Sequence, residues 1–196
     1  MSRFLMAGVA LVGLSAGFAR AELLLDTLTS ELDGTVVMSA ANDRRSAQSF
    51  TTSASTTSLS QVSLDLSASG ITSFDVALHL NFEYAPASRL EYLARPRDIT
   101  LTSPYVISSL TELVAPSTQH WIVVQRIAGT DISWDFTDNQ GVANGFRSGP
   151  EGLWNITSAD SLRTGVVAVP EPTTCAMALA GLACGGYSLW RRRTRR

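Results

Sequence analysis

Apolar and polar residues alternate through much of the middle of this 196-residue chain. Val62, Leu64 and Leu66 alternate with Ser63, Asp65 and Ser67, and Phe74, Val76, Leu78 and Leu80 with Asp75, Ala77, His79 and Asn81. Ile132, Trp134 and Phe136 alternate with Asp131, Ser133 and Asp135. A period of two with one polar face predicts strands packed on one side. The stretch His120-Trp121-Ile122-Val123-Val124 is apolar on both faces and predicts a central strand. Thr35–Ser39, Gln48–Thr52, Ile99–Thr102 and Thr164–Ala168 are further strand candidates. Turn clusters separate them, among them Ser69-Gly70, Ala128-Gly129-Thr130, Asp138-Asn139-Gln140-Gly141 and Ser148-Gly149-Pro150. One short helix is predicted, Ala87–Ala94, stopping before Arg95-Pro96. The Ser/Thr-rich run Ser46–Ser60 resembles a linker in composition, but the β-formers of Gln48-Ser49-Phe50-Thr51-Thr52 keep it within the fold. The fold class expected is all-β: a single antiparallel β-sandwich or jelly-roll domain over residues 22–168.

Both ends of the chain depart from this pattern. Residues 1–21 carry one early arginine, an apolar run from Phe4 to about Leu14, and a small-x-small site at Ala19-Arg20-Ala21. That is the layout of a signal peptide, cut by signal peptidase after Ala21. At the other end, Thr173 to Trp190 is free of charge, about 27 Å as a helix, which is just enough to cross a bilayer core. Behind it stand Arg191, Arg192, Arg193, Arg195 and Arg196, a basic cluster that holds that end on the cytoplasmic side and leaves the body outside. Before it, Pro170 and Pro172 flank Glu171, fix φ and withhold two amide donors, so the segment does not continue the helix that follows.

Val169-Pro170-Glu171-Pro172, an apolar segment and a terminal arginine cluster, over residues 169–196, resemble the PEP-CTERM sorting signal of Gram-negative and related bacteria. The resemblance implies a transient partner in the inner membrane, an exosortase-type cysteine peptidase that cuts near Pro-Glu-Pro, and a destination at the cell surface or in an exopolysaccharide matrix. A second resemblance lies in the body, over roughly Leu32 to Trp154. Ala47–Thr52, Leu59–Leu66, the alternating Phe74–Leu80 run and Pro116–Val124 are similar to choice-of-anchor R domains, extracellular bacterial β-domains found with varied surface anchors. That family supplies no catalytic residues to carry over, and the likeness does not extend through Gly141–Gly152.

Charge and cysteine content narrow the function. Between Glu22 and Glu171 lie all 17 carboxylates and only eight arginines, a net charge of −9 without a single lysine. Such a body repels nucleic acid and anionic membrane, so no nucleic-acid partner is expected. Cys175 and Cys184 both fall in the C-terminal apolar segment, which leaves the body without a disulfide, thiol nucleophile or thiolate ligand. His79 and His120 read as a surface and a strand-entry histidine, and Ser148-Gly149 lacks the strand-turn-helix setting of a nucleophile elbow. Asp131, Ser133, Asp135, Asp138 and Asn139 gather hard oxygens along one strand and its turn, but the spacing fits no known calcium loop, and a solvated acidic strand is the plainer reading. Asp131 and Asp135 also have a spacing open to glycoside hydrolysis, as any alternating acidic strand does. Of the aromatics that could stack on sugar, Trp121, Trp134, Trp154 and Tyr105, Trp134 shares an apolar face and Trp154 is the one expected at the surface. No catalytic residue, metal or cofactor is assigned. The expected function is a non-enzymatic surface or matrix protein with a structural or adhesive role. The alternatives are a module binding extracellular polysaccharide and, behind it, a secreted hydrolase.

Overall fold

The computed structural model describes residues 21–41, 44–138, 143–148, 153–157 and 160–170. In these the ordered elements are all strands: β1 (Glu22–Asp26), β2 (Gly34–Met38), β3 (Arg44–Thr51), β4 (Thr56–Leu64), β5 (Leu66–Ala68), β6 (Ile71–Phe82), β7 (Ala85–Ala94), β8 (Ile99–Thr100), β9 (Tyr105–Ser108), β10 (Gln119–Gly129), β11 (Ile132–Asp138), β12 (Asn144–Ser148), β13 (Asn155–Thr157), β14 (Asp160–Leu162) and β15 (Thr164–Pro170). The expected signal peptide and membrane segment lie outside the described residues. Among the described ones, no helix is long and apolar enough to cross a membrane.

The strands form three antiparallel sheets. The largest has the order β13-β12-β3-β10-β6-β7, with β8 beside β6. A second runs β1-β15-β4-β9, and a third runs β14-β11-β2 with β5 also on β11. The smaller two are joined at a junction. Only Asp65 separates β4 from β5, and only Arg163 separates β14 from β15. There three backbone bonds close a ring: Asp65 N–H to Arg163 O (3.1 Å), Arg163 N–H to Asp135 O (2.8 Å) and Asp135 N–H to Asp65 O (3.1 Å).

One apolar core joins all three sheets in a sandwich-like arrangement. Phe50, Phe74, Val76, Leu78, Ile122 and Val124 of the large sheet meet Leu59, Val62, Leu64 and Val166 of the second and Met38, Leu66, Ile132 and Trp134 of the third. The alternation read along Val62–Leu66 survives the break at Asp65, since Leu64 and Leu66 are both fully buried. β10 is central, as its two-sided apolarity predicts. Ile122 and Val124 point into this core, while Trp121 and Val123 join Ala47 in a smaller cluster on the opposite face.

The helix expected at Ala87–Ala94 is instead β7, paired to β6 through Val76↔Ala94, Ala77↔Tyr92, His79↔Arg89 and Phe82↔Ala85. Three register shifts interrupt this ladder, so Leu90 and Leu93 stand three apart and imitate a helical stripe. Glu83 and Tyr84 form the connecting turn with φ of 49° and 66°, a left-handed pair usually supplied by Asn-Gly. No such turn signal marks this hairpin in the sequence.

Candidate functional site

The acids of β11 disperse rather than converge. Asp131 Oδ1 accepts from the Ala40 amide (3.3 Å) and lies 3.9 Å from Arg126 Nε. Asp135 sits at the sheet junction, where burial above all, and then Asp65, push its carboxyl up while Arg163 opposes them. Asp138 pairs across the ladder with Asp160 and raises the carboxyl of nearby Asp33. Asn139 lies outside the described residues. Among those described, no group of three or more His, Cys, Asp or Glu side chains is placed to hold a metal ion.

The histidines part company as well. His120 is buried on the inner face, its ring stacked 5.7 Å from that of Phe50, and burial lowers its pKa. His79 is half-buried on the outer face of the large sheet, with Nδ1 2.8 Å from the Ala87 carbonyl. Burial lowers its pKa first, and Arg89, Arg147 and Arg45 add to the effect.

Those arginines belong to a feature that the linear sequence conceals. Cross-strand register sets Arg147 of β12 beside Arg45 of β3, Arg45 beside Gln125 of β10, and Gln125 beside Asp75 of β6. Four residues further along β6, beyond Ala77, His79 stands opposite Arg89 of β7. Arg95 and Arg97 close the far side, 3.5 and 2.5 Å from Asp75 Oδ1. Five of the body's eight arginines therefore gather around the outer face of one sheet, against Asp75 and, toward one end, Asp98, which bonds Ser73. Arg45 and Arg89 have no carboxylate partner among the described residues, and Arg45 Nε is buried without a hydrogen-bond acceptor. Arg45 and Arg147 are thus like charges set directly across the ladder, a pairing that lowers sheet stability unless other groups offset it.

The face holds a depression of about 60 Å³, lined by Arg45, Asp75, His79, Arg89, Tyr92 and Gln125 with neighbouring alanine and valine. Drug-sized ligands need roughly 300 Å³ or more, so it admits a carboxylate-sized group and not a sugar ring. The aromatics here are already engaged. The Arg89 and Arg95 guanidinium carbons stand 3.9 and 4.3 Å from the centre of the Tyr92 ring. Trp121 is fully buried, with Nε1 donating to Asn81 Oδ1 at 2.9 Å. Trp154, expected at the surface, is half-buried against the smaller cluster, with Arg147 5.4 Å from its ring. Elsewhere Trp134 is wholly buried, and Tyr105 sits edge-on to Phe74 at 5.2 Å, its hydroxyl pKa raised by burial. The groups left open on this face are ionic rather than aromatic.

The described sorting residues, Val169 and Pro170, lie at one end of the domain. They finish β15, where Pro170 stands opposite Thr56, the first residue of β4. Glu22, the residue after Ala21, starts β1 opposite Ala168. Its carboxylate accepts from Ser53 Oγ (2.7 Å) and Thr56 Oγ1 (3.2 Å). Ala19, Glu171, Pro172 and Arg191 through Arg196 lie outside the described residues. Residues 168–193 match the PEP-CTERM protein-sorting motif. This motif is the recognition signal for an exosortase, and it implies a secreted protein that is anchored in the membrane for a time before processing. No curated protein matches the chain. The match covers the tail, and the function of the β-domain rests on its own geometry.

Proposed function

We propose that this is a non-enzymatic component of the cell surface or of an exopolysaccharide matrix, delivered by its PEP-CTERM tail and adhering through the arginine-rich face of the large sheet to an acidic polysaccharide. The observation that carries the reading is charge segregation: a body of net charge −9 with five of its eight arginines around one sheet face. A polymer bearing spaced carboxylates or sulfates can lay single anionic groups between Arg45, Arg89 and His79, where charge-assisted hydrogen bonds replace the mutual repulsion of the cations. A denser polyanion such as duplex DNA brings more charge against the acidic remainder of the surface. An extracellular, non-catalytic body of the choice-of-anchor R kind is part of this proposal. The signal peptide over residues 1–21 and the membrane segment at Thr173–Trp190 belong to the same reading.

Retention on immobilised alginate, neutral dextran and duplex DNA tests it. The expected result is retention on alginate that weakens with salt, no retention on dextran, and loss of retention in the double variant Arg45→Gln, Arg89→Gln. Equal retention on DNA would reduce the face to a general ion exchanger. Retention on dextran, or alginate binding untouched by the double variant, would overturn the assignment.

A further inference from the structure

The end of the domain from which the tail departs also carries exposed apolar residues. The short β3–β4 turn brings Ser53 and Thr56 against Glu22, and Pro170 stands beside Thr56. At the same end, Thr52 bonds the carbonyls of Ala115 and Thr118, just before β10 begins, and His120 pairs with Leu80 of β6. Beyond that pairing the β6–β7 hairpin runs on through Phe82, Glu83 and Tyr84. It projects about 7–10 Å at the rise of a strand. Phe82 is 65% exposed, Tyr84 77% and Leu113, bridged to Ser58, 77%. Exposed apolar residues occur elsewhere too, Leu23, Ile71 and Ile127 among them, but here Phe82 and Tyr84 stand at the tip of a projecting hairpin.

From this we infer that the pole is a membrane-contacting surface, in which the Phe82–Tyr84 hairpin tip and Leu113 enter the lipid interface while the tail is inserted. The inference rests on the reading of Thr173–Trp190 as a membrane segment. The length of the tether selects lipid over a second copy of the chain. Three residue steps separate Pro170 from Thr173, a reach of about 10 Å at most, comparable to the projection of the hairpin. A domain held so closely cannot turn another end toward the bilayer, and aromatic side chains are the ones that settle at headgroup depth. The acidic body resists the same surface, so the contact depends on the tether and ends when the tail is cut. The contact orients the last strand and the Pro-Glu-Pro segment for a peptidase embedded in that membrane.

The full chain, with Cys175→Ser and Cys184→Ser, tests the inference when reconstituted in vesicles of phosphatidylethanolamine with a minority of phosphatidylglycerol. A nitroxide is attached at Tyr84→Cys or, as a control at the opposite pole, at Ser69→Cys in the turn before β6. In floating vesicles the label at 84 should lose access to a water-soluble nickel complex several-fold and gain access to oxygen, while the label at 69 keeps its aqueous values. Flotation with both labels in water would overturn the membrane contact and leave the tail reading standing. Failure to float would overturn both. Protection at 84 accompanied by spin–spin broadening would assign the pole to self-association and overturn the lipid contact.

Discussion

Arg163 Nη1 lies 2.6 Å from Asp65 Oδ2, and both side chains are largely removed from solvent, at 20% and 14% exposure. The pair sits on the ring of backbone bonds that joins the two smaller sheets, and Arg163 also donates to the Leu28 carbonyl while its own carbonyl accepts from Trp134 Nε1 at 3.1 Å. Removing the cation leaves a carboxylate and a carbonyl without their partner in a half-dry site. Breaking a fully buried pair costs roughly 3–5 kcal/mol, and the residual exposure here brings the expected cost of Arg163→Met to about 2–3 kcal/mol. Urea unfolding of Arg163→Met, Asp65→Asn and the double variant should show strong coupling. Additive losses would mean that the junction is held by its backbone bonds alone.

Gln48 makes a similar link inside the core, wholly buried within β3. Its Oε1 accepts from the Leu162 amide at 2.7 Å, and its Nε2 donates to the carbonyls of Ser49 (3.1 Å) and Ala143 (3.2 Å). One amide thereby ties the large sheet to β14. Gln48→Leu keeps the volume but strands a buried N–H, at about 1–3 kcal/mol for each unsatisfied group. A loss of stability of about 2 kcal/mol is expected in denaturant unfolding, with faster hydrogen exchange at Leu162.

These two residues show what could be read from the chain. β6, β10 and β11 announce themselves because strict alternation maps directly onto one buried face. Gln48 does not, because its burial depends on partners contributed by distant segments and leaves no apolar signal. β7 was hidden by its three register shifts, which destroy period two, and by a turn built from Glu83 and Tyr84 rather than from Asn-Gly. The arginine face was hidden for another reason. Positions 45, 89, 95, 97 and 147 look scattered until cross-strand register sets β12, β3, β10, β6 and β7 side by side. The sorting motif over residues 168–193 was legible because its information is linear and is read by another protein rather than by the fold.

Both histidines have pKa values lowered by burial, which gives the folded domain a dependence on acid. Below the unfolded value near 6.5 the unfolded chain takes up protons that the native His79 and His120 refuse. Their contribution to stability is therefore whole above about pH 6.5 and falls as the pH drops through the window down to the native values, at up to ~1.4 kcal/mol per pH unit for each linked proton. Asp33 and Asp135, raised from 3.8, bind protons more readily when folded and act in the opposite sense, in a lower pH range. His120→Phe, which keeps a ring against Phe50, should flatten the stability profile below about pH 6.5. An unchanged slope would place the linkage at His79 alone.

The last prediction concerns how close to the fold the tail can be cut. β15 lies between β1 and β4, and its Val166 and Ala168 are fully buried, so it is an interior strand of its sheet rather than an appendage. Processing that leaves Pro170 in place preserves every pairing from Glu22↔Ala168 to Pro170↔Thr56. A chain ending at Gly165 loses the partners of Leu23, Leu59, Gln61 and Val62 and exposes much of the face they cover. Burial of Val166 alone contributes about 1.5–3 kcal/mol, and the lost ladder bonds bring the deficit into the range of a small domain's whole stability, roughly 5–15 kcal/mol. Expressed without the signal segment, a chain ending at Pro172 should unfold cooperatively with near-native sheet content by circular dichroism, while one ending at Gly165 should be unfolded or aggregated. If the shorter chain proved equally stable, β15 would be dispensable, and the peptidase would be free to cut well inside the sequence that now forms it.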